Sequence, residues 1–219
     1  MEGAAYASIG WPEAKSVIDN HAAHLIIGCL NQPNDHEEAL HLAIMTTFVT
    51  AAALSLSGGI GVYWASGQLM VAPEGWQQAV QTVRGKGLPV EDWINLFWVQ
   101  EDPGKVGAVT EGARAFLGME IEFSPALLPP ADIADRLFGV MRYLLVHGAV
   151  LKDGDTIGQS ETEAIRVRFK ERGRQFEGSV IELTFEQSLP KTTPLPGLGG
   201  APFGKMSKDR STFGKRGRS

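Results

Sequence analysis

Two pairs of acidic residues are the strongest candidates for chemistry in this sequence. Glu120 and Glu122 are two positions apart in a segment that alternates apolar and acidic residues, so a β-strand would present both on one face. Asp153 and Asp155 lie on either side of a glycine. Paired carboxylates can divide general-acid and general-base roles when their surroundings differ. If the fold brings both pairs into one pocket, these four residues are the catalytic candidates of a metal-assisted or carboxylate-based hydrolase.

Both pairs also have structural explanations. An Asp-Gly step favours a tight turn, and Asp side chains accept hydrogen bonds from nearby backbone N–H groups. A calcium-binding loop would need further acids and a terminal Glu at fixed spacing, and Glu161 and Glu163 do not fall in that register. Glu120 and Glu122 would lie on the solvated face of a strand. A turn and a half-exposed strand are therefore the alternatives to a catalytic site.

Other residue types give no complete metal or cofactor site in the sequence. His21, His24 and His147 could supply zinc ligands, but the elements that carry them need not meet. The glycine-rich segment 57–61 lies between a predicted helix and a predicted strand. Phosphate-binding loops need the reverse order, in which the glycines precede a helix N-terminus. We predict no metal and no cofactor.

Composition and charge indicate a cytoplasmic globular protein. The 219 residues are 43% hydrophobic and 21% charged, which is typical of a globular chain. The single cysteine, Cys29, lies in an apolar run, is expected to be buried, and favours a reducing compartment. No secretory signal is visible. The apolar stretch Ala39–Leu56 is interrupted by polar residues and is shorter than a membrane span requires, so we expect a buried helix and no membrane contact.

The order of the predicted elements indicates an α+β fold. Apolar periodicity and capping residues predict three main helices, near residues 36–55, 72–84 and 130–147, and a short helix near 11–20. In the first of them the predicted apolar face consists of Leu40, Ala43, Ile44, Phe48 and Ala51. Apolar runs predict strands near residues 21–30, 60–64, 93–100, 106–109, 119–123, 164–170 and 179–185, and we expect the last two to pair as a hairpin. We expect a mixed or antiparallel sheet with the helices packed on it. Duplicated ferredoxin-like units, of the split βαβ type, are one arrangement that fits, and the strand order stays open.

Composition divides the chain into a body and a tail. We expect residues 1–10 to be flexible, 11–186 to form a single domain, and 187–219 to be disordered because they are rich in Pro, Gly, Ser and basic residues. The tail contains seven basic residues and one acid, which is a charge of +6. Since the whole chain has a net charge of −5, the rest of it carries −11.

The tail also repeats a short motif. Phe-Gly-Lys occurs at residues 203–205 and again ten residues later, at 213–215. A basic tail with aromatic residues could bind RNA or an acidic protein surface, could fold back on the acidic body, or could be a structureless solubilising terminus. Nucleic acid is expected only through this tail, because the body is acidic. The candidate partner-binding residues are Phe203, Lys205, Phe213, Lys215 and Arg216.

Short motifs spread along the body carry a family resemblance. They include Trp11-Pro12, the segment Gly61–Trp64, the segment Met119–Glu122 and the stretch from Gly148 to Gly158. In this order and spacing they resemble the bacterial domain of unknown function 4261, over roughly Trp11 to Glu186. Members of that family usually carry an additional segment ahead of the Trp-Pro motif, so this chain resembles a short member or a fragment. The family has no established activity, and the resemblance implies only a bacterial cytosolic protein.

A binding role is the function that these observations favour. The sequence contains no complete catalytic constellation, and the tail separates positive charge from an acidic body. We therefore predict a non-catalytic interaction module with a protein partner, and we leave its oligomeric state open. One alternative is a hydrolase built on Glu120, Glu122, Asp153 and Asp155. The other is an accessory or immunity protein of a bacterial secretion or toxin system.

Overall fold

The computed structural model describes residues 11–101, 103–160, 163–174 and 176–186, and the backbone of residues 214–216. By its internal contacts the chain forms two compact units, Met1–Asn95 and Leu96–Ser219. Both units combine helices with strands, so the predicted α+β class is confirmed. The predicted domain boundaries stay a prediction, and the expected flexible residues 1–10 lie outside the described part of the chain.

The first unit consists of helices around a short β-hairpin. Its described helices are α1 (Ala14–Ile18), α2 (His36–Ser57), α3 (Pro73–Arg84) and α4 (Val90–Trp93). Strands β1 (Val62–Trp64) and β2 (Leu69–Val71) pair antiparallel. The two long helices α2 and α3 match the predicted ones within two residues. The sequence did not predict β2 or α4, because segments of three or four residues are too short to show a period.

Local chemistry sets both ends of α2. The Glu38 N–H donates to Asp35 Oδ1 at 2.9 Å, so Asp35 is the expected N-cap. Glu38 Oε2 accepts from the Asn34 N–H at 2.8 Å, which makes the arrangement resemble a capping box. At the other end Gly58 has φ 64°, a left-handed conformation that glycine adopts without strain.

Tryptophan side chains around Thr47 form the core of the first unit. The fully buried Thr47 hydroxyl donates to the Ala43 carbonyl at 2.8 Å and accepts from Trp93 Nε1 at 3.0 Å. The Thr47 carbonyl accepts from Trp76 Nε1 at 3.2 Å. Trp64 stacks on Trp93 with ring centroids 6.2 Å apart. A buried polar residue in the middle of α2 is thus satisfied by two indoles, which ties the helix to α3 and α4.

The predicted strand at residues 21–30 does not form. These residues are all described, carry no strand hydrogen bonding and are almost entirely exposed. Leu25, Ile26 and Leu30 are 70%, 84% and 104% exposed, and Cys29 is exposed rather than buried. Apolar composition predicted a strand, but a strand exists only where a neighbour completes its ladder.

The buried face of α2 also differs from the predicted one. The prediction placed Leu40, Ile44 and Phe48 in the core with Ala43 and Ala51, but these three larger residues are only half-buried. The buried residues form a stripe of mostly small side chains at four-residue spacing, which are Ala39, Ala43, Thr47 and Ala51, followed by Leu54. Because almost every side of α2 is apolar, its sequence alone does not select the face that packs.

A mixed sheet organises the second unit. Its strands are β3 (Asn95–Gln100), β4 (Val106–Glu111), β5 (Glu120–Ala126), β6 (Thr156–Gly158), β7 (Ala164–Lys170), β8 (Val180–Glu186) and β9 (Gly214–Arg216), in the order β3-β4-β5-β8-β7-β6-β9. Strands β5 and β8 are parallel, whereas β4–β5, β7–β8 and β6–β7 are antiparallel. A split βαβ unit has a strand between its two parallel strands. Since β5 and β8 are direct neighbours, the described sheet does not show the duplicated ferredoxin-like arrangement.

Helix α6 (Pro130–His147) covers one face of this sheet, and α5 (Arg114–Leu117) is a single turn between β4 and β5. Proline in the first turn of α6 and Gly148 at its C-cap give the predicted start and end. Its apolar stripe is buried, and Ile121 and Phe123 of β5 are buried on the sheet face opposite Glu120 and Glu122. The hairpin of β7 and β8 is also as predicted.

The tail contributes one short strand. The backbone of Gly214–Arg216 pairs antiparallel with β6, whereas the disorder expected of the tail as a whole stays a prediction. Lys215 and Arg216 belong to this strand. Phe203, Lys205 and Phe213 lie outside the described residues, as do the remaining tail residues 187–213 and 217–219.

Candidate functional site

The Glu120 side chain caps the N-terminus of helix α5. It is 3% exposed and accepts four hydrogen bonds at the start of α5. Oε2 accepts from Thr110 Oγ1 at 2.7 Å and from the Ala113 N–H at 3.0 Å, while Oε1 accepts from the N–H groups of Gly112 and Arg114 at 3.1 and 3.2 Å. The first N–H groups of a helix have no partner within the helix, and a carboxylate satisfies them well. This saturated carboxylate is therefore a structural group.

Glu122 lies beside a carboxylate that the sequence did not associate with it. The parallel register of β5 and β8 pairs Glu122 with Glu182, and the two side chains are 2% and 6% exposed. Glu122 Oε2 accepts from the Arg174 N–H at 2.9 Å. Glu122 Oε1 is buried without a hydrogen-bond partner among the described residues. Glu122 is therefore much less well satisfied than Glu120, although both occupy the same face of one strand.

Cationic side chains from β7 and the following loop neutralise Glu182. Lys170 Nζ is 2.8 Å from Glu182 Oε2, and Arg174 Nε is 3.7 Å from Glu182 Oε1. Ser124 Oγ donates to Glu182 Oε1 at 3.3 Å. The register also sets Arg168 opposite Glu182. The sheet face away from α6 thus carries acidic residues on the neighbouring strands β5 and β8 and basic residues on β7 beside them, and ion pairs stabilise the boundary between β8 and β7.

Asp153 and Asp155 form a turn beside β7. Asp153 Oδ1 accepts from the Phe169 N–H at 2.9 Å, and Asp153 Oδ2 is 3.2 Å from Arg168 Nη1 in an ion pair that is about half exposed. Asp155 Oδ2 accepts from the Lys152 N–H at 2.8 Å. The Asp155 bond is the local backbone bond expected of an Asp-Gly turn, in which Gly154 has φ 80°, whereas the two Asp153 bonds connect this turn to β7.

The four candidate carboxylates do not form one cluster. Strands β8 and β7 lie between β5, which carries Glu120 and Glu122, and the turn that carries Asp153 and Asp155. With strands about 4.8 Å apart, this separates the two pairs by roughly three strand spacings. The residue that the fold brings to Glu122 is Glu182, which lies 60 positions later in the chain and shares no local motif with it. Catalysis by the four residues stays a prediction.

The described part of the second unit contains a small apolar cavity. Among residues 11–101, 103–160, 163–174 and 176–186, no group of three or more His, Cys, Asp and Glu side chains could hold a metal ion. A cavity of about 30 Å³ lies between apolar side chains that include Leu144, Phe169 and Ile181. A space of that size and polarity does not accommodate a substrate.

Burial shifts the pKa of two acids. Burial raises the pKa of Asp92, in the first unit, to about 6. In the second unit burial raises the pKa of Glu111, and the nearby Glu120 carboxylate raises it further. Both shifts have desolvation as their main cause, which is an ordinary consequence of packing a carboxyl group against apolar atoms.

An exposed apolar stripe on α2 is the surface feature that the sequence analysis missed. Met45, Val49, Ala52 and Leu56 are all exposed, at 47% for Met45, 49% for Val49 and 90% for Leu56. Their spacing of four, three and four residues places them on one side of the helix. The signal was present as apolar residues on nearly every side of α2, a pattern that we attributed to a buried helix. We call these four residues the α2 seam.

Helix α2 also meets the length and composition criteria of a membrane-spanning helix. Within the described residues it is the one helix that is long and apolar enough to cross a membrane. Core helices of soluble proteins meet the same criterion, and 28% of its most apolar window is buried in the structure. The Thr47 contacts with two tryptophans belong to a helix packed on protein on one side, with the α2 seam on the other.

The molecule is thus an α+β protein with an ion-paired sheet face and an exposed apolar helix seam. Residues 109–184 match the model of DUF4261, a domain of unknown function. The match confirms the predicted resemblance for that segment, which runs from the end of β4 into β8. The motifs ahead of residue 109 lie outside the matched range. No curated protein and no solved structure matches the chain.

Proposed function

We propose that this protein is a non-catalytic interaction module that binds an amphipathic, basic helix of a partner protein along the α2 seam. The observation that supports this proposal most directly is the exposure of Met45, Val49 and Leu56 on one side of a well-capped helix. Exposed apolar patches on otherwise polar surfaces mark interaction sites more often than isolated exposed residues do.

The spacing of the α2 seam favours a helix as the occupant. Residues 45, 49, 52 and 56 follow the four-three-four alternation of the apolar positions of a coiled coil, with Val49 and Leu56 at equivalent heptad positions. A small residue, Ala52, lets a second helix approach closely between the larger side chains. Helix-in-groove recognition uses the same spacing of anchors. Covering three such partly exposed side chains contributes on the order of 3 kcal/mol from this side of the interface.

The acidic charge of helix α2 and of the chain ahead of the tail favours a basic partner helix. Helix α2 contains no Lys or Arg, and its N-terminal turn carries Glu37 and Glu38. The chain ahead of the tail has a net charge of −11, with 24 acidic and 13 basic residues. A second copy of this face would bring like charges together, whereas a helix with basic flanks would be attracted to it. We therefore commit to a basic helix.

Titration with synthetic peptides tests this proposal. The probe is a labelled peptide of three leucine heptads with Lys at the outer positions, and its counterpart has Glu in place of Lys. We expect the Lys peptide to bind the full chain more tightly than the Glu peptide does. Val49→Asp and Leu56→Asp should each weaken binding of the Lys peptide at least tenfold, because each places a charge in the apolar contact.

The matched control is Gln78→Asp, which puts the same charge on an exposed position of α3. All three substitutions add negative charge, so a purely electrostatic association with the Lys peptide would strengthen in every variant. That result would refute binding along the α2 seam. If the wild-type chain sediments as a dimer and the Val49→Asp variant as a monomer, the α2 seam binds a second copy of the chain instead. Partition of the wild-type chain, but not of Val49→Asp, into neutral phosphatidylcholine vesicles would assign it to a membrane. Either result overturns the proposal.

A further inference from the structure

The outer edge of β6 is occupied by a segment of the chain's own tail. Strand β6 pairs with β7 on one side and with β9 on the other, in the register Thr156 to Arg216, Ile157 to Lys215 and Gly158 to Gly214. An edge strand presents unpaired N–H and C=O groups that readily accept a further strand. The three residues of β9, which belong to the same chain, pair with those groups.

The tail contains a second segment of the same type. Phe213-Gly214-Lys215, which includes the start of β9, repeats Phe203-Gly204-Lys205 ten residues earlier. We propose that the outer edge of β6 is a binding site for extended Phe-Gly-Lys segments, and that the two tail repeats are its alternative occupants. The tail then acts as an internal ligand, and access to the β6 edge is regulated by its displacement.

The register places two glycines opposite each other at one end of β6. At Gly158 the position that a Cβ would take is already filled by the Glu163 carbonyl oxygen, so this end of β6 is crowded by the chain that leads into β7. The residue opposite Gly158 is Gly214, which adds no side chain at this point. In the other repeat the corresponding residue is Gly204.

The connection is long enough for either repeat to reach β6. Glu186 pairs with Ala164 of β7, and the adjacent Ile165 pairs with Ile157 of β6, so β8 ends within one residue of the row that contains Ile157 and Lys215. That row spans three strand spacings, about 14 Å. Gly204 lies 18 positions after Glu186 and Gly214 lies 28 positions after it. At about 3.3 Å per extended residue, each stretch exceeds the required distance several times. Tethering gives either repeat an effective concentration in the millimolar range.

Charge favours the tail as the occupant. The tail carries +6 and the rest of the chain −11, so the two attract each other and the attraction weakens with added salt. Backbone hydrogen bonds supply the affinity of such pairing, whereas the Phe-Gly-Lys side chains supply its specificity, so two repeats with different flanking residues can use one edge.

Hydrogen exchange of the full-length protein, measured by NMR at the amides of residues 156–158, tests the exchange between repeats. We expect Gly214→Pro to reduce protection of the outward amides only partly, because the repeat at 203–205 takes over. The double variant Gly204→Pro/Gly214→Pro should lose that protection, since proline cannot complete the ladder at either repeat. The matched control is Gly199→Pro, a tail position outside both repeats, which should leave the protection unchanged.

Binding in trans tests the site itself. A labelled peptide with the sequence of residues 210–219 should bind the double variant at least tenfold more tightly than the wild-type chain, in which the edge is already filled. A scrambled peptide should not bind. Unchanged protection in the double variant, or equal binding of both peptides, would overturn the proposal. Protection that rises with protein concentration would overturn pairing in cis and assign the edge to the tail of a second copy. These outcomes do not depend on the α2 seam, which none of the variants alters.

Discussion

The variant Glu120→Gln tests whether the Glu120 carboxylate has a structural or a catalytic role. Each Glu120 oxygen accepts two hydrogen bonds, three of the four donors being backbone N–H groups at the start of α5. Gln keeps one acceptor oxygen and directs an NH₂ group at the donors that faced the other. The Thr110 hydroxyl can rotate to accept from this NH₂ group, but a buried N–H group remains without a partner.

The expected loss of stability follows from the number of hydrogen bonds that Glu120→Gln removes or weakens. Hydrogen bonds to a charged group contribute about 1.5–3 kcal/mol each, and an unsatisfied buried donor costs about 1–3 kcal/mol. With one donor orphaned and the retained bonds weakened by loss of charge, Glu120→Gln should lower the free energy of unfolding by about 2–4 kcal/mol. Urea denaturation followed by circular dichroism measures the loss. Native-state hydrogen exchange of the β5 amides assigns it to the second unit.

Glu122→Gln is the matched control, because it lies on the same strand and face with the same burial. Glu122 accepts one hydrogen bond, from the Arg174 N–H, and its Oε1 has no partner within the described chain. Gln can keep that bond and place its NH₂ group at the Oε1 position, so the expected change is below about 1 kcal/mol. Equal losses for the two variants, or a Glu120→Gln variant as stable as the wild type, would refute the helix-cap assignment and restore Glu120 as a catalytic candidate.

Three further substitutions test the energetics of the fold. Burial raises the pKa of Asp92 to about 6, above its value of 3.8 in the unfolded chain, so its ionised form destabilises the folded state as pH rises through 6. Asp92→Asn should therefore stabilise the protein by about 2 kcal/mol at pH 8 and have little effect near pH 4, as measured by urea denaturation at each pH. Thr47→Val removes the acceptor of Trp93 Nε1 in a fully buried site and should cost about 1–3 kcal/mol in the same assay. Arg136→Met leaves the buried Glu163 carboxylate without its ion pair, in which Arg136 Nε donates to Glu163 Oε1 at 2.8 Å, and should cost about 3–5 kcal/mol.

Each of these changes has a control, which is pH for Asp92→Asn and a more exposed residue of the same type for the other two. A stabilisation by Asp92→Asn that persists unchanged at pH 4 would show that ionisation is not its cause. Thr50→Val, on the same helix but only half-buried, should change stability by less than about 0.5 kcal/mol. Arg172→Met breaks an exposed ion pair with Glu177 and should cost at most about 0.5 kcal/mol. If Arg172→Met and Arg136→Met cost the same, burial does not determine the strength of these pairs.

Local sequence determined the elements whose formation depends on neighbouring residues. Helix α6 was predicted within a residue, because the prolines before it and Gly148 after it act within one turn of the chain. The alternation of residues 164–170 and 179–185 predicted the β7–β8 hairpin, since adjacent strands joined by a turn find each other without long-range information. The Asp-Gly turn at residues 153–155 was predicted for the same reason.

Tertiary structure alone decided which partners those elements meet. Residues 21–30 have the composition of a strand but no neighbouring strand in the described chain, so they lie exposed. Helix α2 is apolar on nearly every side, and the indoles of Trp76 and Trp93, which bind Thr47, select the face that is buried and so leave the α2 seam outside. Glu122 meets Glu182 because β5 and β8 pair in parallel across α6 and two other strands. Periodicity specifies which face of an element is apolar, whereas pairing and burial depend on surfaces that are distant in the chain.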